Sequence, residues 1–188
     1  MDIVLFHSVY GLRPAEIAAA GRWRAAGHRV VTPDLYQEEA AVKITEGFAL
    51  ADRIGWPLII ARAREAVDRM PEKTVLAGVS MGASVVESLL PDRPRAAGVL
   101  LLHGLAEIPA TIRPGLPVQA HVAEPDEFFP LDRVAAWGRA ARASGAELTL
   151  FRYPEAGHFF TDPELRDHDE TAAGLLWQRS LLFLGGLA

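Results

Sequence analysis

The stretch TVLAGVSMGASVVESLL, Thr74 to Leu90, joins three local patterns in seventeen residues. An apolar, β-prone run (Val75, Leu76, Ala77) meets Gly78-Val79-Ser80-Met81-Gly82, and a segment with apolar residues at helical spacing (Ala83, Val85, Val86, Leu89, Leu90) follows. That order reads as strand, tight turn, helix, with a serine at the bend. The glycines two residues to either side let backbones approach where a Cβ would clash. A helix that begins just after Ser80 directs its unpaired N–H groups and their partial positive charge at the serine. Such a turn exposes a hydroxyl and supports an oxyanion, which an ordinary β-α turn does not.

Outward from this elbow the alternation repeats. Ile3 to Phe6 is a continuous apolar run, the pattern of a strand buried on both faces, and His7-Ser8-Val9-Tyr10-Gly11 forms a loop after it. Arg13-Pro14 opens an alanine-rich helix that Gly27 stops, and HRVVT (His28 to Thr32) is a second strand ended by Pro33. Residues 37–55 are less regular, with an acidic stretch around Glu38 and Glu39, and read as a short helix or a flap over a pocket. Trp56-Pro57 opens a helix (Leu58, Ile59, Ala63, Val67, Met70) that Pro71 closes before the elbow strand.

Beyond the elbow helix, Pro91 and Pro94 mark a loop and AGVLLLHG (Ala97 to Gly104) a fourth strand. A Pro/Gly-rich connection leads to PVQAHVAEPDEFFP, a fifth strand followed from near Glu124 by a loop. Leu131 to Ser144 fits a helix (Leu131, Val134, Ala135, Trp137, Ala141), and ELTLFRY (Glu147 to Tyr153) a sixth strand. A loop follows in which Thr161 or Asp162 caps a turn at Pro163, and Glu170 to Leu184 forms the last helix. Six apolar runs alternating with helices predict right-handed crossovers and a mostly parallel sheet covered on both faces, in order 2-1-3-4-5-6 and in one domain spanning residues 1–188. In such a sheet ligands bind at the carboxyl ends of the strands, so the loops after the strands hold the site.

Composition narrows the function. The 188 residues are half hydrophobic, enough for one sizeable core, and the net charge of −5 with scattered Lys and Arg offers no basic surface to nucleic acid. No cysteine is present, which removes disulfides, thiolate metal sites and a cysteine nucleophile together. MDIVLFHSVYG is too short and too acidic for a signal peptide, and no apolar run has membrane-spanning length. A cytoplasmic protein without membrane or nucleic-acid partners and without a cofactor is the expectation.

Three loops at the functional edge carry chemistry. Ser80 follows the third strand, an acid cluster (Glu124, Asp126, Glu127) the fifth, and His158 the sixth. A serine hydroxyl becomes a nucleophile when an imidazole takes its proton, and a carboxylate holds that imidazole in one tautomer. The chain order Ser, acid, His is the order used on α/β-hydrolase sheets.

HSVYGLRPAE, TPDLY (Thr32 to Tyr36), GVSMGAS at the elbow, EPDEFFP around Asp126 and YPEAGHFF around His158 together resemble the dienelactone hydrolase family of α/β-hydrolases. The chain is short, lacking the first strands of a full α/β-hydrolase sheet and any large lid domain, so an open site that fits small acyl groups is the expectation. The resemblance implies Ser80 as nucleophile, His158 as general base and then acid, and Asp126 as the orienting carboxylate, because Asp126 fills the family's D-x-x-x-P position ending at Pro130. The backbone N–H groups of Met81 and Val9 would form the oxyanion hole. The implied substrate is a small carboxylic ester or lactone. An acyltransferase or thioesterase using the same triad, or a hydrolase-like binding protein with an idle triad, are the alternatives.

The family's founding members, which this chain resembles, carry a cysteine at the elbow, a glutamate in the first loop, and an arginine four residues after the histidine to hold a substrate carboxylate. Here Ser80, Ser8 and Asp162 stand at those positions. An anionic lactone is therefore the less natural ligand. His7, Ser8, Tyr10, Tyr36, His103, Phe128 and Phe159 lie on or near functional-edge loops and are candidate pocket residues, with structural roles for His7 and His103 equally open. His121, within a strand, reads as structural, His168 as a solvated helix start, and Asp34 as a turn former after Pro33. Neither His7 nor His103 has metal-ligand spacing to a partner. The last helix leaves an apolar face that suits either a monomer's core or a homodimer contact.

Overall fold

A computed structural model describes residues 1–37 and 40–187. Glu38 and Glu39, the centre of the acidic stretch read as a short helix or flap, lie outside the described residues. Strand β1 (Asp2–Phe6) shows how the sequence dictates the layers. Successive side chains of a strand point to opposite faces. Val4 and Phe6 enter one core, and Ile3 and Leu5 enter a second. Strands apolar on both sides need covering on both sides. Helices α3 (Trp56–Asp68), α4 (Met81–Leu89) and α5 (Leu131–Ala143) pack on the Val4 face, and α1 (Pro14–Ala25) and α6 (Glu170–Gly186) on the Ile3 face. Trp23 of α1 is fully buried there, and its indole N–H donates to Ser180 Oγ of α6 at 3.2 Å.

The remaining strands are β2 (Arg29–Val31), β3 (Thr74–Val79), β4 (Gly98–Leu102), β5 (Pro117–Glu124) and β6 (Glu147–Pro154). They form one sheet of order β2-β1-β3-β4-β5-β6, parallel throughout, as the alternation predicts. Strand β2 is shorter than the expected His28 to Thr32, because Pro33 has no N–H to continue a ladder. Residues 44–54 of the irregular segment form an amphipathic helix, α2 (Ile44–Ile54), in which Gly47 alone is buried. Every connection between successive strands carries a helix except that from β4 to β5, where residues 103–116 form turns and irregular backbone.

A polar cluster is set inside the sheet. His121 of β5 is fully buried, its Nε2–H donating to Gln119 Oε1 at 2.9 Å and its Nδ1 accepting from Tyr153 Oη at 2.7 Å. That neutral ring is fully satisfied, and burial, aided by the Arg179 guanidinium, pushes its pKa down to about 3. In the unfolded chain the ring protonates below pH ~6.5, so its contribution to stability is complete above that value and is lost as pH falls toward 3. The loss amounts to about 2 kcal/mol between neutral pH and pH 5. The urea midpoint is therefore expected to fall from pH 7 to pH 5, and to fall less steeply in His121→Gln. Equal slopes in the two proteins would refute this role.

Candidate active site

The site is assembled at the carboxyl edge of the sheet, beginning with a backbone contact. Ser80 has φ +49° and ψ −108°, a conformation that L residues rarely adopt. The turn closes so tightly that a Cβ on Gly78 would stand 2.2 Å from the Gly82 carbonyl oxygen, and one on Gly82 would stand 2.3 Å from that of Phe6. Both glycines of the motif are thus sterically required. Ser80 N–H donates to Leu102 O at 2.8 Å, and Ser80 O accepts from Ala83 N–H at 2.8 Å. Gly104 brings the loop after β4 against the same residue, since a Cβ there would meet Ser80 O at 2.9 Å.

The loops after β3, β5 and β6 converge. Ser80 Oγ lies 3.0 Å from His158 Nε2, and His158 Nδ1 lies 2.7 Å from Asp126 Oδ2, the arrangement of a hydroxyl donating to an imidazole that donates to a carboxylate. Asp126 Oδ1 accepts the Phe128 N–H at 2.8 Å, which fixes the carboxylate plane. Asp126 and His158 are both buried. Phe128 and Phe159 contact the imidazole with ring centroids 4.6 and 4.4 Å away. Of the other acids in the cluster, Glu124 pairs with Arg152 at 3.4 Å and Glu127 faces solvent.

The first loop is held from three directions. Tyr36 Oη donates to Val9 O at 2.9 Å and lies 3.3 Å from Met81 Sδ, so one buried phenol touches both residues read as oxyanion donors. Gly47 of α2 lets that helix rest on the same peptide, as a Cβ there would stand 2.5 Å from Val9 O. The buried Glu16 carboxylate accepts the N–H groups of Ser8 at 3.1 Å and Arg13 at 3.2 Å, and burial raises its pKa. Tyr36 is itself braced by Asp34, which accepts its N–H at 3.0 Å, and by Arg62, which donates to its carbonyl at 2.9 Å. Met81 is the first residue of α4, where a backbone N–H has no partner within the helix.

A cleft of about 850 Å³ opens from Ser80 and is mainly apolar. Phe128 is on its wall; the other candidate pocket residues are placed elsewhere, each for a structural reason. His7 is fully buried, donating from Nδ1 to Ser8 O at 2.7 Å and accepting the Leu35 N–H on Nε2 at 3.0 Å, so it ties β1 to the loop after β2. Burial lowers its pKa. Ser8 Oγ accepts from Tyr10 N–H at 3.4 Å within the first turn. Tyr10 packs edge-on against Phe159 at 5.3 Å beneath the Arg13 guanidinium, and Tyr36 supports Val9 as described. His103 is fully buried below His158, its Nε2 2.7 Å from Thr161 Oγ1 and its ring edge-on to Phe160 at 4.5 Å. Burial holds its pKa well below the ordinary value. Asp162, at the position of the founding members' arginine, is turned onto Arg13 at 3.2 Å.

The cleft is instead walled by Ile44 and Phe48 of α2, Leu105 and Ile108 after β4, and Phe129 and Trp137. Helical periodicity places Trp137 on an apolar face of α5, but does not say that this face borders a cleft. Among the described residues, no group of three or more His, Cys, Asp or Glu is arranged to hold a metal ion, and no helix is long and apolar enough to cross a membrane.

The model of the dienelactone hydrolase family matches residues 2–187. The chain belongs to the dienelactone hydrolase family. Membership makes it a carboxylic-ester hydrolase, and solved structures agree on the fold. The dienelactone hydrolase-like promiscuous phosphotriesterase P91 from metagenomic libraries is 18% identical, with 99% of this chain and 86% of that one covered at a TM-score of 0.82. A dienelactone hydrolase-type protein of Klebsiella pneumoniae is 17% identical, covering 97% and 85% at 0.79. A phospholipase/carboxylesterase of Dyadobacter fermentans is 18% identical, covering 96% and 89% at 0.66. A search of curated protein sequences finds no match.

The elbow of this family member makes a direct steric prediction. Gly78→Ala is expected to lower stability by about 3 kcal/mol or more, read by thermal unfolding, because backbone rather than a side-chain tip must give way. Gly21→Ala in α1, where nothing lies within 4 Å of the added carbon, is expected to raise stability by about 0.5–1 kcal/mol.

Proposed function

We propose that this ester hydrolase works through an acyl-enzyme formed on Ser80. Ser80 Oγ attacks the ester carbonyl while its proton passes to His158 Nε2. The imidazolium is stabilised by Asp126 through Nδ1–H. The developing oxyanion lies between the N–H groups of Met81 and Val9. Collapse breaks the C–O bond, and the proton on Nε2 goes to the leaving alcohol. Water then gives its proton to His158 as it attacks the acyl carbon, and the carboxylic acid departs as Ser80 regains its proton. A lactone follows the same course with both halves on one molecule.

The observation that carries this reading is the continuous chain from Ser80 Oγ to His158 at 3.0 Å and from His158 to Asp126 at 2.7 Å, at the end of an open cleft. Ser80→Ala is expected to cut kcat/KM on p-nitrophenyl butyrate by at least ~10⁴-fold with the circular dichroism spectrum unchanged, and to abolish labelling by a fluorophosphonate. Undiminished turnover in that variant would sink the assignment. Tyr36→Phe removes the hydroxyl that holds Val9. It is expected to lower kcat about tenfold with little change in KM, since the oxyanion forms after binding. A change confined to KM would remove Tyr36 from that role.

A further inference from the structure

The cleft has a shape that the triad does not require. Its walls repeat at helical spacing. Ser80, Ser84 and Glu87 lie along one face of α4, and Arg133, Ala136 and Ala140 along one face of α5. Both helices start at the carboxyl edge of the sheet and run back along it, so the cleft is a groove leading from Ser80 down between them. Ser84, Ala136 and Ala140 are small and solvent-accessible, which keeps the groove open. Leu105 and Ile108 form its floor, and Trp137 pins that floor by donating its indole N–H to Ala106 O at 2.7 Å.

The groove occupies the place where the β4-to-β5 crossover carries no helix. From Ser80 to Glu87 is seven residues of helix, a rise of about 10 Å. At that far end Glu87 Oε2 accepts the Glu107 backbone N–H at 2.7 Å, and both acidic residues line the groove. The groove's guanidinium, Arg133, lies over the Phe129 ring at 5.3 Å and donates to Phe128 O at 3.3 Å, close to the triad end.

We propose that this groove binds an extended apolar chain of the ester, about eight carbons long at ~1.2 Å of reach per bond, ending in a neutral or cationic group rather than an anion. The proposal rests on the serine-esterase reading and narrows it, since the small acyl groups expected of an open site would leave the groove to water. Burying each further methylene between α4, α5 and the Leu105 floor favours binding, and a carboxylate delivered beside Glu87 and Glu107 is repelled.

The test is kcat/KM along two series, p-nitrophenyl esters from acetate to octanoate and alkyl acetates from methyl to octyl, so that the acyl and alcohol sides are read separately. One of the two series is expected to rise roughly two- to fourfold per methylene. Ala140→Trp, which fills the far end of the groove, is expected to lower the ratio of the longest to the shortest substrate in that series. A terminal carboxylate on the long chain is expected to reduce kcat/KM tenfold or more, with part of the loss restored in Glu87→Gln. Flat or falling profiles in both series, with Ser80 still labelled by a fluorophosphonate, would overturn the proposal and leave the esterase standing. Absence of both turnover and labelling would overturn the esterase reading and the proposal with it.

Discussion

The contact on which the site depends is made of backbone alone: Gly82 stands on the Phe6 carbonyl, and Gly78 stands against Gly82. The parallel register that sets Phe6 beside Gly78 brings β1 into the same contact, so β1, β3 and the first turn of α4 are locked together without a side chain between them. Ser80 is thereby forced into its positive φ, and the surrounding structure over-determines that strain by tying its N–H to Leu102 and its carbonyl to Ala83. A methyl group at either glycine would lift α4 away from β1. The Met81 N–H and the Ser80 hydroxyl would then move relative to Val9 and His158, both of which are held by other elements.

The same economy appears in the histidines. His7, His103 and His121 are each fully buried, and burial drives each toward the neutral form. His7 and His121 use both ring nitrogens on neutral partners, and each joins two strands or a strand and its neighbouring loop. His158 differs in the kind of partner it has, a carboxylate on one nitrogen and a serine hydroxyl on the other. Position at the end of a strand is shared by His7, His103 and the residues of the site, so it does not separate these roles. The partners do.

That distinction marks where the sequence stops being legible. Strand order, the elbow, and the loops bearing Ser80, Asp126 and His158 follow from apolar runs, glycine spacing and chain order, all of which act locally or through simple topology. Which side of a loop an aromatic faces does not. Tyr36 and Phe159 belong to the TPDLY and histidine blocks in sequence, yet one turns beneath Val9 and the other packs behind His158 on Tyr10. The cleft was hidden for a different reason. It is created by something missing, a helix between β4 and β5, and its walls are faces of α4 and α5 that periodicity identifies only as faces. The Pro/Gly-rich run after Gly104 was the available signal, because it lacks the helical spacing that every other crossover shows.

The departures from the founding members now have a physical reading. Their first-loop glutamate is replaced by Ser8, but a carboxylate still organises that loop, supplied from α1 by Glu16 through the Ser8 and Arg13 N–H groups. Their arginine after the histidine is replaced by Asp162, which pairs with Arg13 while Arg13 also reaches Glu164 at 2.8 Å. These charges are engaged on the α1 side of the first loop, across it from the cleft. A buried pair of this kind is stable when both partners stay and costly when one is removed, so neither is free to turn toward a ligand. Near Ser80 the cleft has aromatic and aliphatic walls, and the guanidinium there is already stacked on Phe129 and bonded to Phe128. The position at which the founding members hold a substrate carboxylate is here an acid engaged by Arg13, and the cleft beside Ser80 is walled mainly by apolar residues.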